Sequence, residues 1–120
     1  MTLDGTRILI LEDEPIIGLA LEDMLQRHGA HVLLASGIEE AFELLASEDV
    51  ESAILDVNVH GTQSYPVASM LAERGIPFIF ATGYGDRAHP SDFVSIPTIS
   101  KPYSTEDIRK GLDSVGLRRR

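Results

Sequence analysis

The stretch ILILEDEP, residues 8–15, indicates both the fold of the chain and the place of its chemistry. Four aliphatic residues run directly into three acids and a proline. A short, continuous apolar run is consistent with a strand buried on both faces, and proline is favoured at the first position of a helix. The stretch therefore predicts a buried strand that ends at Glu12, Asp13 and Glu14, with a helix beginning near Pro15.

The same order of strand and helix continues along the whole chain. The strand-like runs cover residues 7–11, 31–35, 53–57, 77–81 and 97–100. Alternation of strands and helices favours a parallel sheet with helices on both faces, and its crossovers are right-handed. We therefore expect an α/β fold with a doubly wound sheet. The segment 83–96 contains Gly, Pro and Asp breakers, so a loop with at most a short helix is expected there.

Capping residues and apolar spacing predict the helices between these strands. The first is expected to end at the His-Gly pair of residues 28–29, and the third to run from about 65 to 74. The second and the last begin with capping-box patterns, Ser36 with Glu39 and Ser104 with Asp107. The residues expected to face the core are Ile16, Leu21, Met24, Leu25, Ile38, Phe42, Leu45, Ile108, Leu112 and Val115.

Composition and net charge limit the classes of protein to which the chain can belong. With 120 residues, 43% of them hydrophobic, the chain is sized for one domain, residues 1–120, with a real core. No apolar run reaches the roughly 18 residues of a membrane span, and the N-terminus lacks the layout of a signal peptide. A net charge of −9 disfavours nucleic-acid binding, which needs cations in place of phosphate counterions. Together with the absence of cysteine, these features fit a cytoplasmic protein.

Polar side chains stand at the carboxyl ends of four predicted strands. Glu12 and Asp13 follow the first strand, and Asp56 comes near the end of the third. Thr82 follows the fourth strand and Lys101 the fifth. In a doubly wound sheet, ligands bind beyond the carboxyl ends of the strands. We therefore expect these residues to project over one edge of the sheet.

The acids predict a site for a hard divalent cation. Carboxylates crowded into one cleft repel one another unless a cation enters, and Mg²⁺ prefers oxygen ligands. Asp13, Asp56 and a main-chain carbonyl near Asn58 would supply such ligands. The alternative for Glu12 and Glu14 is a favourable charge at a helix N-terminus, worth about 0.3–1 kcal/mol each.

Lys101 and Thr82 extend this site towards phosphate. Lys101 precedes Pro102, which restricts its backbone, and its amine would bind phosphate as a point charge. The Thr82 hydroxyl, followed by Gly83, would hydrogen-bond a phosphoryl oxygen. Taken singly, the lysine is as readily a surface residue and the threonine the end of a strand. Together with the acids, they predict a phosphoryl group carried on Asp56.

On these residues, the chain resembles the receiver domain of bacterial two-component response regulators over essentially its whole length. The resemblance implies a five-stranded, flavodoxin-like sheet of order 2-1-3-4-5, with a short or irregular fourth helix. It implies Asp56 as the phosphoacceptor, Glu12 and Asp13 as the metal-binding acid pair, Thr82 as the switch hydroxyl and Lys101 as the phosphate-sensing lysine. The stretches PFIFATGY (77–84) and KPY (101–103) are similar to those of the stand-alone FAT GUY receivers of alphaproteobacterial signalling.

A receiver is a signalling switch rather than an enzyme, although it assists its own phosphotransfer and dephosphorylation. The resemblance implies Mg²⁺ as cofactor, a sensor histidine kinase or histidine phosphotransfer protein as phosphodonor, and a downstream protein target. Nucleic acid and membrane are not expected as partners, and a homodimer stays open. Two positions depart from the usual receiver: Thr98, where an aromatic residue is common, and His60, where proline is common.

Three other interpretations stay open from the sequence. A phosphatase with an aspartate nucleophile would want a second aspartate at the place of Asn58. A flavin-binding protein would want a phosphate-cradling loop where EDEP stands, residues 12–15. The third is a receiver-like module that binds its partners regardless of phosphorylation, and a test of phosphorylation at Asp56 separates it from the switch.

Overall fold

The computed structural model describes residues 3–82, 96–100 and 104–114 of the chain. Within these residues seven strands and four helices follow one another. The strands are β1 Arg7–Leu11, β2 His31–Ala35, β3 Ser52–Asp56, β4 Asn58–Val59, β5 Thr62–Gln63, β6 Phe78–Thr82 and β7 Thr98–Ser100. The helices are α1 Pro15–Arg27, α2 Ile38–Ser47, α3 Tyr65–Glu73 and α4 Thr105–Ser114.

Five of the strands form one parallel sheet in the order β2-β1-β3-β6-β7. Counted over these five strands alone, this is the order 2-1-3-4-5, so the expected doubly wound topology is confirmed. Strand β3 begins and ends one residue before the predicted run, and β6 one residue after it. As a consequence, Asp56 and Thr82 are each the last residue of a strand, with their backbones fixed by the sheet.

Helices cover the sheet on both faces, as the sequence predicts. One core contains buried side chains of α2 and α3, and the other contains those of α1 and α4. Leu9 and Leu11 of β1 belong to the first core, whereas Ile8 and Ile10 belong to the second. Because successive side chains of a strand point to opposite faces, β1 needs an unbroken aliphatic run to satisfy both cores.

Helix α1 differs from the expectation at one residue. Leu21 and Leu25 are buried as predicted, but Ile16 is 84% exposed, so the prediction that it faces the core is wrong. A helix turns by about 100° per residue, which places Ile16 roughly 140° away from Leu21. Ile17, four residues before Leu21, takes the inward position and is half-buried. Leu19 is also exposed, at 57%.

The predicted C-terminal end of α1 and the predicted start of α4 are confirmed by specific contacts. Gly29 follows α1 with a φ of 92°, and a Cβ at this place would lie 2.9 Å from the backbone Cα of Asp4. Only glycine fits there, because a side chain would be strained and would also collide. At α4, the Ser104 N–H donates to Asp107 Oδ2 at 2.9 Å and the Asp107 N–H donates to Ser104 Oγ at 3.2 Å. This is the reciprocal pairing of a capping box.

The capping box predicted for α2 is wrong by one residue. Gly37, not Ser36, is the N-cap of the helix. The third helical residue is then Glu40 rather than Glu39. Its Oε1 accepts hydrogen bonds from the Ser36 N–H at 2.8 Å and from the Ser36 hydroxyl at 3.1 Å. The carboxylate thus still satisfies a backbone donor before the helix, as a capping box does.

A short hairpin that the sequence analysis did not predict lies directly after β3. Strands β4 and β5 are antiparallel and are joined by His60 and Gly61 alone. These two residues have φ values of 51° and 80°, and positive φ at both central positions is what a type I′ turn requires. Val59 is buried in the core under α2 and α3, so the hairpin is anchored to the body of the domain.

Several predictions fall outside the described residues. They concern the loop or short fourth helix expected before residue 96, the site residue Lys101 and the inward-facing Val115. The structure likewise describes no side-chain position for Leu112. Among the helices that are described, none combines the length and the apolar character needed to cross a membrane.

Candidate metal centre

The carboxyl ends of β1, β3 and β6 lie side by side at one edge of the sheet. Leu11 at the end of β1 is in register with Leu55, and the next residue, Asp56, is in register with Ala81 of β6. Thr82 follows that partner directly. The strand order reverses between β1 and β3, so this edge is the topological switch point at which doubly wound sheets bind ligands.

Three carboxylates meet at this edge. Glu12, Asp13 and Asp56 each offer one oxygen, and the three oxygens all lie within 4.8 Å of one another. Glu12 and Asp56 are buried, and Asp13 is partly exposed. Negative charges this close repel one another strongly in a partly dry site. A divalent cation among the oxygens would remove that repulsion, and an all-oxygen donor set with one side open to water fits Mg²⁺.

Glu12 is held by the backbone that leads into α1. Its Oε2 accepts a hydrogen bond from the Glu14 N–H at 3.1 Å, and its own N–H donates to the Ala35 carbonyl at 3.0 Å. Glu14 is the N-cap residue of α1, but its side chain makes no capping hydrogen bond. The helix-terminus interpretation therefore holds in part for Glu12, whose carboxylate contacts a backbone amide at the helix start and also belongs to the cluster.

Asp13 is held by the turn of the β4–β5 hairpin. The His60 N–H donates to Asp13 Oδ2 at 2.9 Å, and His60 Nδ1 lies 3.8 Å from the same oxygen. Burial raises the pKa of Asp13, but hydrogen bonds from the His60 backbone and with Asp56 outweigh it and hold the pKa below its ordinary value of 3.8. Asp13 is therefore ionised at neutral pH, as a metal ligand must be.

The structure describes the positions of Thr82 and Asn58 but not that of Lys101. Thr82 is buried and ends β6 beside the strand that carries Asp56. Asn58 is exposed and begins the hairpin two residues after Asp56. Lys101 lies outside the described residues. The structure thus brings the three acids together and places Thr82 at the neighbouring strand end. The roles of all these site residues stay predictions.

His60 contacts Asp13 of the cluster. The sequence places His60 close to the acceptor and marks it as a departure from the usual proline, but it does not predict this contact. The available signal was a His-Gly pair between two short runs, because a two-residue connection ending in glycine is typical of a hairpin. Asparagine or aspartate usually precedes that glycine, and the histidine hid the pattern. Its contact with Asp13 spans 47 residues of sequence, which local patterns do not reach.

Comparison with known proteins agrees with this geometry. The family model for the response regulator receiver domain matches residues 8–113. The chain belongs to this family. Its fold, its switch-point acids and its matched segment thus all point to a receiver domain.

Individual receivers support the same assignment. The solution structure of SdrG from Sphingomonas melonis Fr1 is 37% identical, covers 94% of this chain and 98% of that chain, and has a TM-score of 0.84. The response regulator TrrA from Thermotoga maritima, crystallised with Mg²⁺ and BeF, is 25% identical over 92% of this chain and 98% of that chain, with a TM-score of 0.80.

The receiver also matches part of longer proteins. The probable transcriptional regulator ycf27 of Cyanophora paradoxa is 30% identical over 99% of this chain, and the match covers 51% of that relative. The chain therefore spans about half the length of this curated relative, and the shared half is the receiver domain.

Proposed function

We propose that the chain is a Mg²⁺-dependent phosphoacceptor switch of a two-component phosphorelay, with Asp56 as the residue that carries the phosphoryl group. The observation behind this proposal is the cluster of Glu12, Asp13 and Asp56 oxygens within 4.8 Å of one another. The cluster lies at the switch point of a receiver fold. The related TrrA was crystallised with Mg²⁺ and BeF, which supports a similar use of the acids here.

The proposed reaction moves a phosphoryl group from nitrogen to oxygen. A carboxylate oxygen of Asp56 attacks the phosphorus of a phosphohistidine and forms a P–O bond. The P–N bond breaks, and its electron pair goes to the imidazole nitrogen, which is protonated. Bound Mg²⁺ would neutralise charge on the transferred phosphoryl oxygens. Water later hydrolyses the acyl phosphate to inorganic phosphate and the free carboxylate.

Each remaining site residue has a role in this proposal. Glu12, Asp13 and Asp56 would hold the cation together with a main-chain carbonyl near Asn58. The Thr82 hydroxyl and the Lys101 amine bind phosphoryl oxygens. The new group brings a charge of up to about −2, which draws these two side chains towards it and biases the domain between two states. The chain is thus a signalling domain that assists its own phosphorylation and dephosphorylation, not a conventional enzyme.

The proposed phosphodonor is a sensor histidine kinase or a histidine phosphotransfer protein. Helix α1 begins two residues after Asp13 and exposes Ile16 and Leu19, at 84% and 57%. Exposed apolar residues beside a reactive group fit contact with a protein surface. Output passes by protein contact to a downstream target in the cytoplasm. The net charge of −9 disfavours nucleic acid as that target.

Phosphorylation by acetyl phosphate in the presence of Mg²⁺ tests the proposal. We expect the wild type to be retarded on a phosphate-affinity gel and to gain the mass of a phosphoryl group, because Asp56 is the nucleophile. Asp56→Ala should show neither change. Asp23→Ala is a suitable control, since Asp23 is an exposed aspartate of α1 that pairs with Arg27 and is not part of the cluster.

Three results would contradict the proposal in different ways. A folded wild type that stays unmodified would favour the module that binds partners regardless of phosphorylation. A mass gain that persists in Asp56→Ala would mean that another carboxylate accepts the phosphoryl group. Retention of signal after chelation of Mg²⁺ would remove the metal from the mechanism.

A further inference from the structure

His60 has a backbone conformation that is uncommon for residues other than glycine. Among the described residues it is the one non-glycine residue with a positive φ, at 51°. Side chains with a Cβ are strained in this left-handed region, and glycine would adopt it freely. The histidine therefore remains there against a local conformational preference, which points to a use for its side chain.

The ring of His60 binds a different part of the chain from its backbone. The N–H donates to Asp13 Oδ2 at 2.9 Å, and ring Nε2 lies 3.0 Å from the Ser36 carbonyl oxygen. A carbonyl only accepts, so Nε2 carries the hydrogen in this contact. Ser36 lies just before α2, and its N–H and hydroxyl both donate to Glu40. The ring thus ties the hairpin turn to a segment that is itself fixed to α2.

The two contacts together determine the orientation of the Asp13 carboxylate. Oδ2 is held by the His60 N–H, and the turn that carries this N–H is held by the ring contact with Ser36. One oxygen of Asp13 is therefore held from the hairpin side. Hydrogen bonds to metal-binding side chains orient those side chains and are known to change metal affinity.

We propose that His60 is a positioning residue for the metal ligand Asp13: its backbone N–H orients the carboxylate, and its ring anchors the turn that presents this N–H. The inference rests on the proposed function, because it assigns to His60 a part in binding the same Mg²⁺. It predicts that loss of the ring weakens Mg²⁺ binding even though the backbone donor is still present.

His60→Gly separates the ring from the backbone. Glycine keeps the N–H and adopts positive φ without strain, so the variant is expected to fold at least as well as the wild type. Thr62→Ala is the matched control, because Thr62 is an exposed residue of the same hairpin. The affinity of each metal-free protein for Mg²⁺ is measured by calorimetry, and its stability by urea unfolding.

We expect His60→Gly to raise the Mg²⁺ dissociation constant about tenfold, at the lower end of what loss of a ligand-orienting partner costs. Thr62→Ala should bind like the wild type. An unchanged dissociation constant in His60→Gly would overturn the inference while leaving the proposed function standing. Failure of the wild type to bind Mg²⁺ would count against the proposed function instead.

A second readout needs no metal. The hydrogen exchange of the residue 60 amide is followed by NMR in the metal-free wild type, in Asp13→Ala and in His60→Gly. Exchange should be slow in the wild type and faster in both variants. Asp13→Ala removes the acceptor of this N–H, and His60→Gly removes the ring that holds the turn. If His60→Gly loses stability as well as Mg²⁺ affinity, the exchange rate of the residue 60 amide distinguishes positioning from a general loss of stability. An amide that is as well protected in Asp13→Ala as in the wild type overturns the proposal.

Discussion

Asp13 is subject to opposing effects on its pKa. Burial raises its pKa, while the hydrogen bond from the His60 backbone and the hydrogen bond with Asp56 lower it to below 3.8. A carboxyl whose pKa is lowered by folding stabilises the folded state at pH values above its unfolded pKa. That contribution is lost as the pH falls through the folded pKa.

We expect the Asp13 carboxyl carbon to titrate with a midpoint below 3.8 in the metal-free protein. The free energy of unfolding of the wild type should then fall more steeply below about pH 4 than that of Asp13→Asn, because the unfolded aspartate takes up a proton first. Carbon-13 NMR and urea unfolding at several pH values measure both quantities. An equally steep loss in Asp13→Asn would contradict the assignment.

Single residues also show how far sequence reasoning reached. Glu12, Asp13 and Asp56 could be placed together because each lies at, or directly after, the carboxyl end of a strand in a predicted parallel sheet. The contact of Asp13 with His60 could not, since it depends on a turn conformation and on hydrogen-bond geometry across 47 residues. Residue type at a strand end is visible in a sequence, whereas the backbone angles of a two-residue turn are not.

At the scale of elements, helix α1 has one buried and one exposed apolar face. The sequence predicted the element and its end at Gly29, but assigned Ile16 to the core. Two adjacent isoleucines begin the helix, and only the angular position relative to Leu21 distinguishes the inward Ile17 from the outward Ile16. Ile16, which was wrongly assigned to the core, is exposed in the first turn of α1. It therefore belongs to the surface that we propose contacts the phosphodonor.

We expect Ile16→Ser to slow phosphotransfer from a histidine phosphotransfer protein by about tenfold, since loss of a central apolar contact costs more than about 1 kcal/mol. Phosphorylation by acetyl phosphate should be unchanged, because the small donor does not use the surface of α1. Gln26→Ser, at an exposed position near the other end of the same helix, is the control. Equal loss with both donors would instead mean that Ile16 supports the site itself.

Strands β4 and β5 are too short to be predicted from the sequence. Each has two residues, which is too short for alternation to show. Their pairing is nevertheless what presents the His60 N–H to Asp13. The long strands and helices could be predicted from periodicity, but this hairpin could be located only in the folded structure.

At the scale of the whole molecule, the proposed metal site joins two segments that meet only in the folded state. The cluster joins the loop after β1 to the end of β3, and these segments are adjacent only when the sheet is formed. Binding that requires the native state stabilises it by RT ln(1 + [L]/Kd), about 2.7 kcal/mol at a hundredfold excess over Kd. Mg²⁺ should therefore raise the stability of the entire domain.

We expect the free energy of unfolding of the wild type to rise with Mg²⁺ concentration, and that of Asp56→Asn to rise much less. Without metal, Asp56→Asn should be more stable than the wild type, because the neutral amide removes an ionisable acid from a crowded cluster. Urea unfolding with Mg²⁺ and with a chelator measures both differences. An equal gain from Mg²⁺ in the two proteins would place the cation outside the cluster.

The sequence alone determined the class of fold, the strand order implied by the family resemblance and the group of acids at the strand ends. These follow from apolar runs, helical periodicity and the geometry of parallel sheets, all of which are local or repetitive rules. Only the tertiary structure decided which isoleucine of α1 faces water, where α2 is capped and which hydrogen bond orients Asp13. Those outcomes depend on packing and backbone angles between segments distant in sequence, and no local pattern encodes them.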